Sequence, residues 1–359
     1  MSERQSPRER AQAFCQRFGL RLPILLAPMA GACPPSLSIA VANAGGLGGC
    51  GATLMQPAEI ECWVSAVRAK TNGGFQINLW VPDPPPQRDP AAEQAMRDFL
   101  AAWGPPVQTD AAEFTLPDFA AQCDAILAAS PSAISSIMGL YPAAFVARMK
   151  AQDIAWFATV TTVAEAKRAV EAGADVIVAQ GMEAGGHRGS FDASYAEPTM
   201  AGLFALLPAI VDAVPVPVVA TGGIADERGV AACLVLGASA VQIGTGFLRA
   251  PEAGIPTAWA DAIADALPEH TLVTRAFSGR AGRSYATAFA RAANAPGAPR
   301  PTPYPIQRGL TQGMRSAAAK TNTLDGMQAW SGQGGWLAQA RPASEIAQDL
   351  WRGAQALLP

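Results

Sequence analysis

Histidine is nearly missing from this chain of 359 residues, with two occurrences, and the six cysteines (Cys15, Cys33, Cys50, Cys62, Cys123, Cys233) include no Cys-X-X-Cys pair. The first scarcity argues against a zinc site and the wide cysteine spacing against a disulfide scaffold, so reduced thiols in a cytoplasmic protein are expected. Charge is also scarce: 15% of residues are Asp, Glu, Lys or Arg, whereas 50% are hydrophobic. That balance excludes a disordered, solvated chain. Lys plus Arg number 26 against 29 for Asp plus Glu, a net charge of -3. The basic surface that a phosphate backbone demands is lacking, and nucleic acid is not an expected partner. No Gly-X-Gly-X-X-Gly opens a first βα unit and no P-loop string occurs, which removes the usual dinucleotide and nucleoside-triphosphate readings. The first 19 residues mix Arg4, Arg8, Arg10 and Arg17 with Glu3 and Glu9 around no apolar core, so no secretory signal is expected.

Residues 22 to 58 carry no Asp, Glu, Lys or Arg, a stretch long enough to span a bilayer. It is broken by Pro23, Pro28, Pro34, Pro35 and Pro57 and by six glycines between Gly31 and Gly51. Lipid could not satisfy the backbone groups such breakers expose. A buried strand-turn-helix segment is expected instead, with no membrane association. From there to residue 248, short apolar runs alternate with Ala-rich helical stretches. Strands are expected at 22–27, 46–50, 74–79, 133–137, 154–160, 175–180, 216–221 and 240–244, as continuous apolar runs suited to burial on both faces. Helices are expected at 36–44, 57–70, 116–129, 142–150, 162–172, 199–213 and 226–236, with Thr162 and Asp226 as starts and Gly173 and Gly237 as stops.

Eight alternating units predict an α/β fold, a (β/α)8 TIM barrel, with a doubly wound sheet as the rival. Two Pro-rich stretches fall outside the repeat, at 82–112 after strand three and at 249–342 after strand eight. Both follow strands, on the face where barrels keep their sites, and read as lids. The expected organisation is a barrel over 1–248, a lid subdomain over 249–342, and a closing C-terminal helix within 343–359.

The string from Asp175 to Gly189 runs down a strand to Gln180 and through a glycine-rich turn to His187. Gly185 and Gly186 have no Cβ, so a flat ligand could lie on their backbone. An imidazole just past a strand's carboxyl end is placed for general-base work; the plainer possibility is a histidine that braces its loop. Arg188 would disfavour the imidazolium if it pointed inward, although an arginine in such a loop more commonly faces solvent or an acid such as Glu183 or Asp192. After strands seven and eight come Thr221-Gly222-Gly223 and Gln242-Ile243-Gly244-Thr245, consecutive turns able to offer amides to a phosphate. Asn78 ends strand three and needs partners, while Met29, after strand one, could line a flat ring or simply fill core. Tyr285, Tyr304, Trp330 and Trp336 could roof a pocket.

Together these residues resemble the nitronate monooxygenase family, the former 2-nitropropane dioxygenases. The matching strings are Gln180-Gly-Met-Glu-Ala-Gly-Gly-His187-Arg-Gly, Ala27-Pro-Met29, Asn78, Thr221-Gly-Gly223, Gln242-Ile-Gly-Thr245, Phe277-Ser-Gly-Arg280 and Gly332-Gln-Gly334. The resemblance implies an FMN-dependent barrel with His187 as its catalytic histidine. It implies Met29, Asn78 and Gln180 as contacts to the flavin ring and ribityl chain, Gly186, Gly223, Gln242, Gly244 and Thr245 as the phosphate cradle and its flank, and Gly185 and Gly222 as further cofactor contacts. The implied substrate is a small nitronate or nitroalkane, with O2 as co-substrate and a carbonyl compound and nitrite as products; a homo-oligomer is compatible with it. Where many members read Ala-Arg-Gly and then Asn, this chain has Gly282-Arg283-Ser284 and Thr287, and the 82–112 insertion is unusual. The same resemblance leaves a flavin-dependent NAD(P)H reductase, of enoyl-acyl carrier protein or quinone, as the alternative. A non-catalytic barrel is argued against by the two intact phosphate turns.

Overall fold

The computed structural model describes residues 5–359; of the N-terminal stretch read for a secretory signal, Met1, Ser2, Glu3 and Arg4 lie outside the described residues. Eight parallel strands run β1 (Ile24–Leu26), β2 (Gly48–Gly51), β3 (Phe75–Trp80), β4 (Ala133–Ile137), β5 (Ala155–Val160), β6 (Val176–Gln180), β8 (Val218–Thr221) and β9 (Ala240–Ile243), with β7 a separate short strand. They pair in the order β1-β9-β8-β6-β5-β4-β3-β2. The ends of that order also meet, through a parallel bridge at Leu25 and Leu47 and the bonds Leu26 N to Leu47 O (2.8 Å) and Leu47 N to Ile24 O (3.0 Å). Ring closure settles the choice between barrel and doubly wound sheet in favour of the (β/α)8 barrel. The run Gly46–Gly51 does carry Gly-X-Gly-X-X-Gly spacing, but it lies in and beside β2 and opens no helix.

Helices follow the strands as the sequence predicts, each within four residues of its expected start. Thr162 caps its helix by accepting from Glu165 N, and Asp226 by accepting from Gly229 N. The C-terminal helix Ala343–Leu357 buries Ile346, Ala347, Leu350 and Ala354 against helices Pro35–Ala44 and Glu227–Val235, closing the outer ring. One helix escapes the pattern reading. Ser6 and Glu9 form a capping box that starts Pro7–Phe18, and its Ala11, Phe14 and Cys15 are buried. Phe14 and Phe18 meet Phe157 at centroid distances of 6.3 and 5.1 Å.

That helix stops one end of the cylinder. Period-two alternation divides each strand between the outer helices and the barrel interior. Leu25, Leu47, Phe157, Val178, Val219 and Ala240 form one cluster with Phe14 and Leu20. Moving along the same inward rows toward the strands' carboxyl ends, the chemistry changes: Gln76, Asn78, Ser135, Thr159, Gln180, Thr221 and Gln242 are buried and polar. Register sets these side by side, Asn78 opposite Ser135 and Gln180 opposite Thr221, which is opposite Gln242. One end of the barrel is an apolar plug and the other a polar floor.

The two extra stretches meet above that floor. Met96 and Leu100 of helix Pro90–Leu100 and Ala112 share a cluster with Phe277, Phe289, Ile306, Leu310 and Met314. Gly309 is required there, since a Cβ would stand 1.9 Å from the Ala111 carbonyl oxygen. A small antiparallel sheet, β10 (Thr271–Thr274), β11 (Gly282–Tyr285) and β7 (Gly186–His187), ties the later stretch to the loop after β6. None of the described helices is long and apolar enough to cross a membrane.

Candidate active site

All eleven residues singled out from the sequence line one cavity of about 380 Å³ at the carboxyl ends of the strands: His187, Met29, Asn78, Gln180, Gly185, Gly186, Gly222, Gly223, Gln242, Gly244 and Thr245. They reach it from five different strand ends, so only ring closure brings them together.

The β8 and β9 ends supply the most specific element. Gly222 and Gly223 adopt φ of 124° and 71°, in the left-handed range that glycine tolerates. The amides of Gly222, Gly223, Gly244 and Thr245 make no hydrogen bond among the described residues. Four idle donors at adjacent strand ends, before the helix capped by Asp226, form a nest for an anion. The 331–334 segment packs on it: Thr245 Oγ1 accepts from Gly332 N at 3.0 Å, and a Cβ on Gly334 would lie 2.4 Å from the Gly223 carbonyl oxygen. Gly186, at φ 77°, has nothing within 4 Å of where its Cβ would be, leaving backbone open beside the cavity.

The polar floor is partly spent on the protein itself. Gln180 donates to the His187 carbonyl (3.0 Å) and accepts from Gly189 N (2.8 Å), so both ends of its amide hold the histidine loop. Asn78 donates to Ser135 Oγ at 3.1 Å and keeps its Oδ1 free of protein partners. Gln76 donates to Gln242 Oε1 at 2.9 Å while its own Oε1 is buried without a partner. Thr221 Oγ1 donates to the Gln242 carbonyl at 2.8 Å.

His187 lies on the edge strand β7, opposite Gly282, rather than in a free turn. Its ring stands between two indoles, edge-on to Trp80 at 4.6 Å and Trp330 at 4.8 Å, and Nε2 is 2.7 Å from Ser278 Oγ. Burial, reinforced by Arg308, Arg280 and Arg315, holds its pKa well below the ordinary histidine value, so the ring is neutral at pH 7. Gly282, one of the departures from the family pattern, accommodates this arrangement: a Cβ there would lie 3.0 Å from Trp330 Cη2 and 3.1 Å from the Gly186 carbonyl oxygen.

Of the two orientations open for Arg188 in the sequence, the structure has the inward one. It is 6% exposed and donates to the Gln180 carbonyl at 2.6 Å and to those of Thr161 and Thr199 at 3.4 Å. Its position is inward but structural, and the cations that depress His187 are the three others. Of the candidate roof aromatics, Tyr304 and Trp330 line the cavity, while Trp336 is 45% exposed and away from it.

Sequence reasoning missed Arg308 and Arg315, and gave no role to Trp80 or to Ser278, which it met only within the Phe277-Ser-Gly-Arg280 string. Trp80 closes an apolar strand and reads as core. The two arginines sit on short helices at 306–310 and 312–320, where an arginine ordinarily faces water. Here neither meets a carboxylate within ion-pair distance among the described residues. Arg315 donates to Thr311 Oγ1 and Gln328 Oε1, both at 3.0 Å, and to the Arg308 carbonyl at 2.8 Å; burial brings its pKa down to about 9. Arg308 Nε and Tyr304 Oη are buried with no partner, and both residues face the cavity. No cluster of three metal-ligating side chains occurs among the described residues.

Comparison with known proteins agrees with this geometry. A family model described as nitronate monooxygenase matches residues 13–353. Nitronate monooxygenase of Pseudomonas aeruginosa is 36% identical over 343 residues, covering 94% of this chain and 97% of that protein. The crystal structure of nitroalkane oxidase from Streptomyces ansochromogenes superposes with a TM-score of 0.86 at 34% identity, covering 95% of this chain and 98% of that one. FabK from Thermotoga maritima superposes at 0.74 with 26% identity, covering 96% of each.

Proposed function

This chain belongs to the nitronate monooxygenase family of flavin-dependent oxidoreductases, and on that premise we propose that it oxidises alkyl nitronates and nitroalkanes with O2 to a carbonyl compound and nitrite, with FMN as its flavin and His187 as its general base. The observation that carries the reading is a neutral, desolvated imidazole beside a cavity whose last two strands end in unpartnered amides. The fit to a flavin rests on those four amides, the Cβ-free backbone at Gly186 and the unspent Oδ1 of Asn78. A cradle with Gly332–Gly334 packed directly against it suits a chain ending in one phosphate, which favours FMN.

Gly222, Gly223, Gly244 and Thr245 would hold the phosphate, with Gly185, Gly186 and Gln242 on its flank. Met29, Asn78 and Gln180 would border the ring and ribityl chain, Gln180 chiefly by fixing the histidine loop. Bound there, the flavin supplies a route for electrons from the nitronate to O2. His187 takes the α-proton of a neutral nitroalkane, whose C–H electron pair moves onto the nitro oxygens; a substrate already present as nitronate needs no such step. Arg308 and Arg315, cations without carboxylate partners among the described residues, favour the anion formed. The stretches 82–112 and 249–342 act as the lid that keeps water from the indole-flanked ring.

His187→Asn tests this. The variant should keep its bound flavin, lose at least a hundredfold in kcat/KM on nitroethane, in line with what a general base contributes, and lose far less on ethyl nitronate. Equal losses on both substrates would refute the base role. The reductase alternative predicts rapid flavin bleaching on anaerobic mixing with NADPH.

A further inference from the structure

Ser278 lies 91 residues from His187 in sequence and is fully buried, with its Oγ 2.7 Å from His187 Nε2. The same oxygen is 3.3 Å from the Arg280 amide nitrogen, which donates to it, and 3.4 Å from the Arg280 carbonyl oxygen, to which it can donate. These contacts come from the Phe277-Ser-Gly-Arg280 turn. Gly279 takes φ 91° there, and a Cβ on it would lie 2.4 Å from the Thr302 carbonyl oxygen. Nδ1 of His187 has no hydrogen-bond partner among the described residues.

We infer that Ser278 is the positioning residue of the base: its Oγ accepts Nε2–H and passes its own hydrogen to the Arg280 carbonyl, so that Nδ1 is the atom that takes the proton. The inference rests on His187 being the base. A hydroxyl carries one hydrogen and two lone pairs. One lone pair receives the Arg280 N–H; if the hydrogen went to Nε2, Nδ1 would carry the ring proton and have no lone pair for a substrate. With Oγ accepting, the bonding pattern is the same before and after proton transfer. The substrate C–H bond breaks, its electron pair moves onto the nitro group, the proton bonds to Nδ1, and Nε2–H stays on Ser278. The hydrogen bond made by one ring nitrogen fixes what the other can do.

Ser278 also answers an electrostatic need. The charged groups facing the ring from the packed elements are Arg308 and Arg315, from the helices over the cavity, and Arg280, whose charge Asp83 matches through bonds of 2.8 Å to each oxygen. Trp80, Trp330 and neutral Tyr304 complete the surroundings. Among the described residues nothing anionic touches the ring, and the Ser278 oxygen is the one acceptor in hydrogen-bond contact with it.

Two measurements on the flavin-loaded protein test this. Ring ¹⁵N NMR has two histidines to resolve, and His270→Gln assigns them. The expected result is the Nε2–H tautomer for His187 in the native protein and a tautomer mixture in Ser278→Ala; an Nδ1–H tautomer in the native protein would overturn the inference, whatever the substrate proves to be. Kinetically, Ser278→Ala should lose about tenfold or more in kcat/KM on nitroethane, with the acid limb of its pH profile moved to lower pH. Its loss on ethyl nitronate should stay within about threefold, and Ser278→Thr should recover most of the nitroethane rate. Equal loss on both substrates, or no movement of the acid limb, would overturn the positioning role. A native enzyme inert to both substrates would instead refute the proposed function, and the tautomer measurement would still decide the placement of the proton.

Discussion

Replacing Asp83 by Asn removes one negative charge and keeps the outline of the side chain. Arg280 is 3% exposed and its guanidinium meets both Asp83 oxygens at 2.8 Å; its other recorded acceptor is the Ser190 carbonyl at 3.4 Å. Removing one member of a fully buried pair costs about 3–5 kcal/mol, because the survivor keeps its desolvation penalty. Asp83 is 28% exposed, so water takes over part of its role and about 1–3 kcal/mol of stability should be lost. The second effect is electrostatic. Freed of its counter-charge, Arg280 acts more strongly against the His187 imidazolium. At an effective dielectric of about 20, a unit charge roughly 15 Å away is worth on the order of 1 kcal/mol, just under one pKa unit, and a closer one is worth more. The imidazole, already neutral at pH 7, becomes a weaker base. The expected kcat/KM on nitroethane is about three- to tenfold lower, with the acid limb shifted to lower pH. Turnover of ethyl nitronate should hold within twofold, with KM equal or lower because the site is more positive. Urea unfolding of the flavin-loaded protein reads the first effect and steady-state pH profiles the second. A stability change within experimental error, or an acid limb that moves to higher pH, would refute the reasoning.

Stability of the native protein should fall as the pH drops below about 6.5, because His187 stays neutral when folded and binds a proton when unfolded. His187→Asn should flatten that part of the stability curve, as thermal melts between pH 5 and 7.5 would register. Phe14→Ala, in the plug at the far end of the barrel, should cost about 3–5 kcal/mol by opening a cavity, with flavin affinity unchanged in a titration. Among the six cysteines, Cys62 is exposed and the other five are buried, burial taking Cys33, Cys123 and Cys233 to about 12 and Cys15 to about 11. Native protein at pH 8 should therefore show one fast thiol toward a disulfide reagent, absent in Cys62→Ser.

The barrel and its cradle were legible because they depend on short-range rules. A parallel strand buried on both faces is a continuous apolar run, and a glycine pair after it marks where backbone must turn left-handed and lie open, as Gly222 and Gly223 do. The residues that tune His187 obey no such rule. Ser278 reaches it across 91 residues beside the pairing of β7 with β11, and Arg280 joins Asp83 across 197 where the two insertions share a cluster around Phe277 and Met96. Local pattern cannot tell Arg308 or Arg315 from a solvated helix arginine. Arg188 shows the converse: its neighbours in sequence suggest an acid partner, yet three backbone carbonyls take it, because the loop must turn beneath His187.

The polarity gradient along the barrel axis explains how such a site persists. Partly buried guanidiniums without carboxylate partners among the described residues cost folding free energy, since each gives up water without gaining a counter-charge. At the opposite end, Leu25, Leu47, Phe157, Val178 and Val219 pack against Phe14 and Leu20 with no polar atom to satisfy, and each such buried side chain contributes on the order of 1.5–3 kcal/mol. The same eight strands carry both regions, so stabilisation at the plug holds the mouth in place. Anionic ligands bound at the carboxyl end would recover free energy that the unpartnered groups withhold from folding.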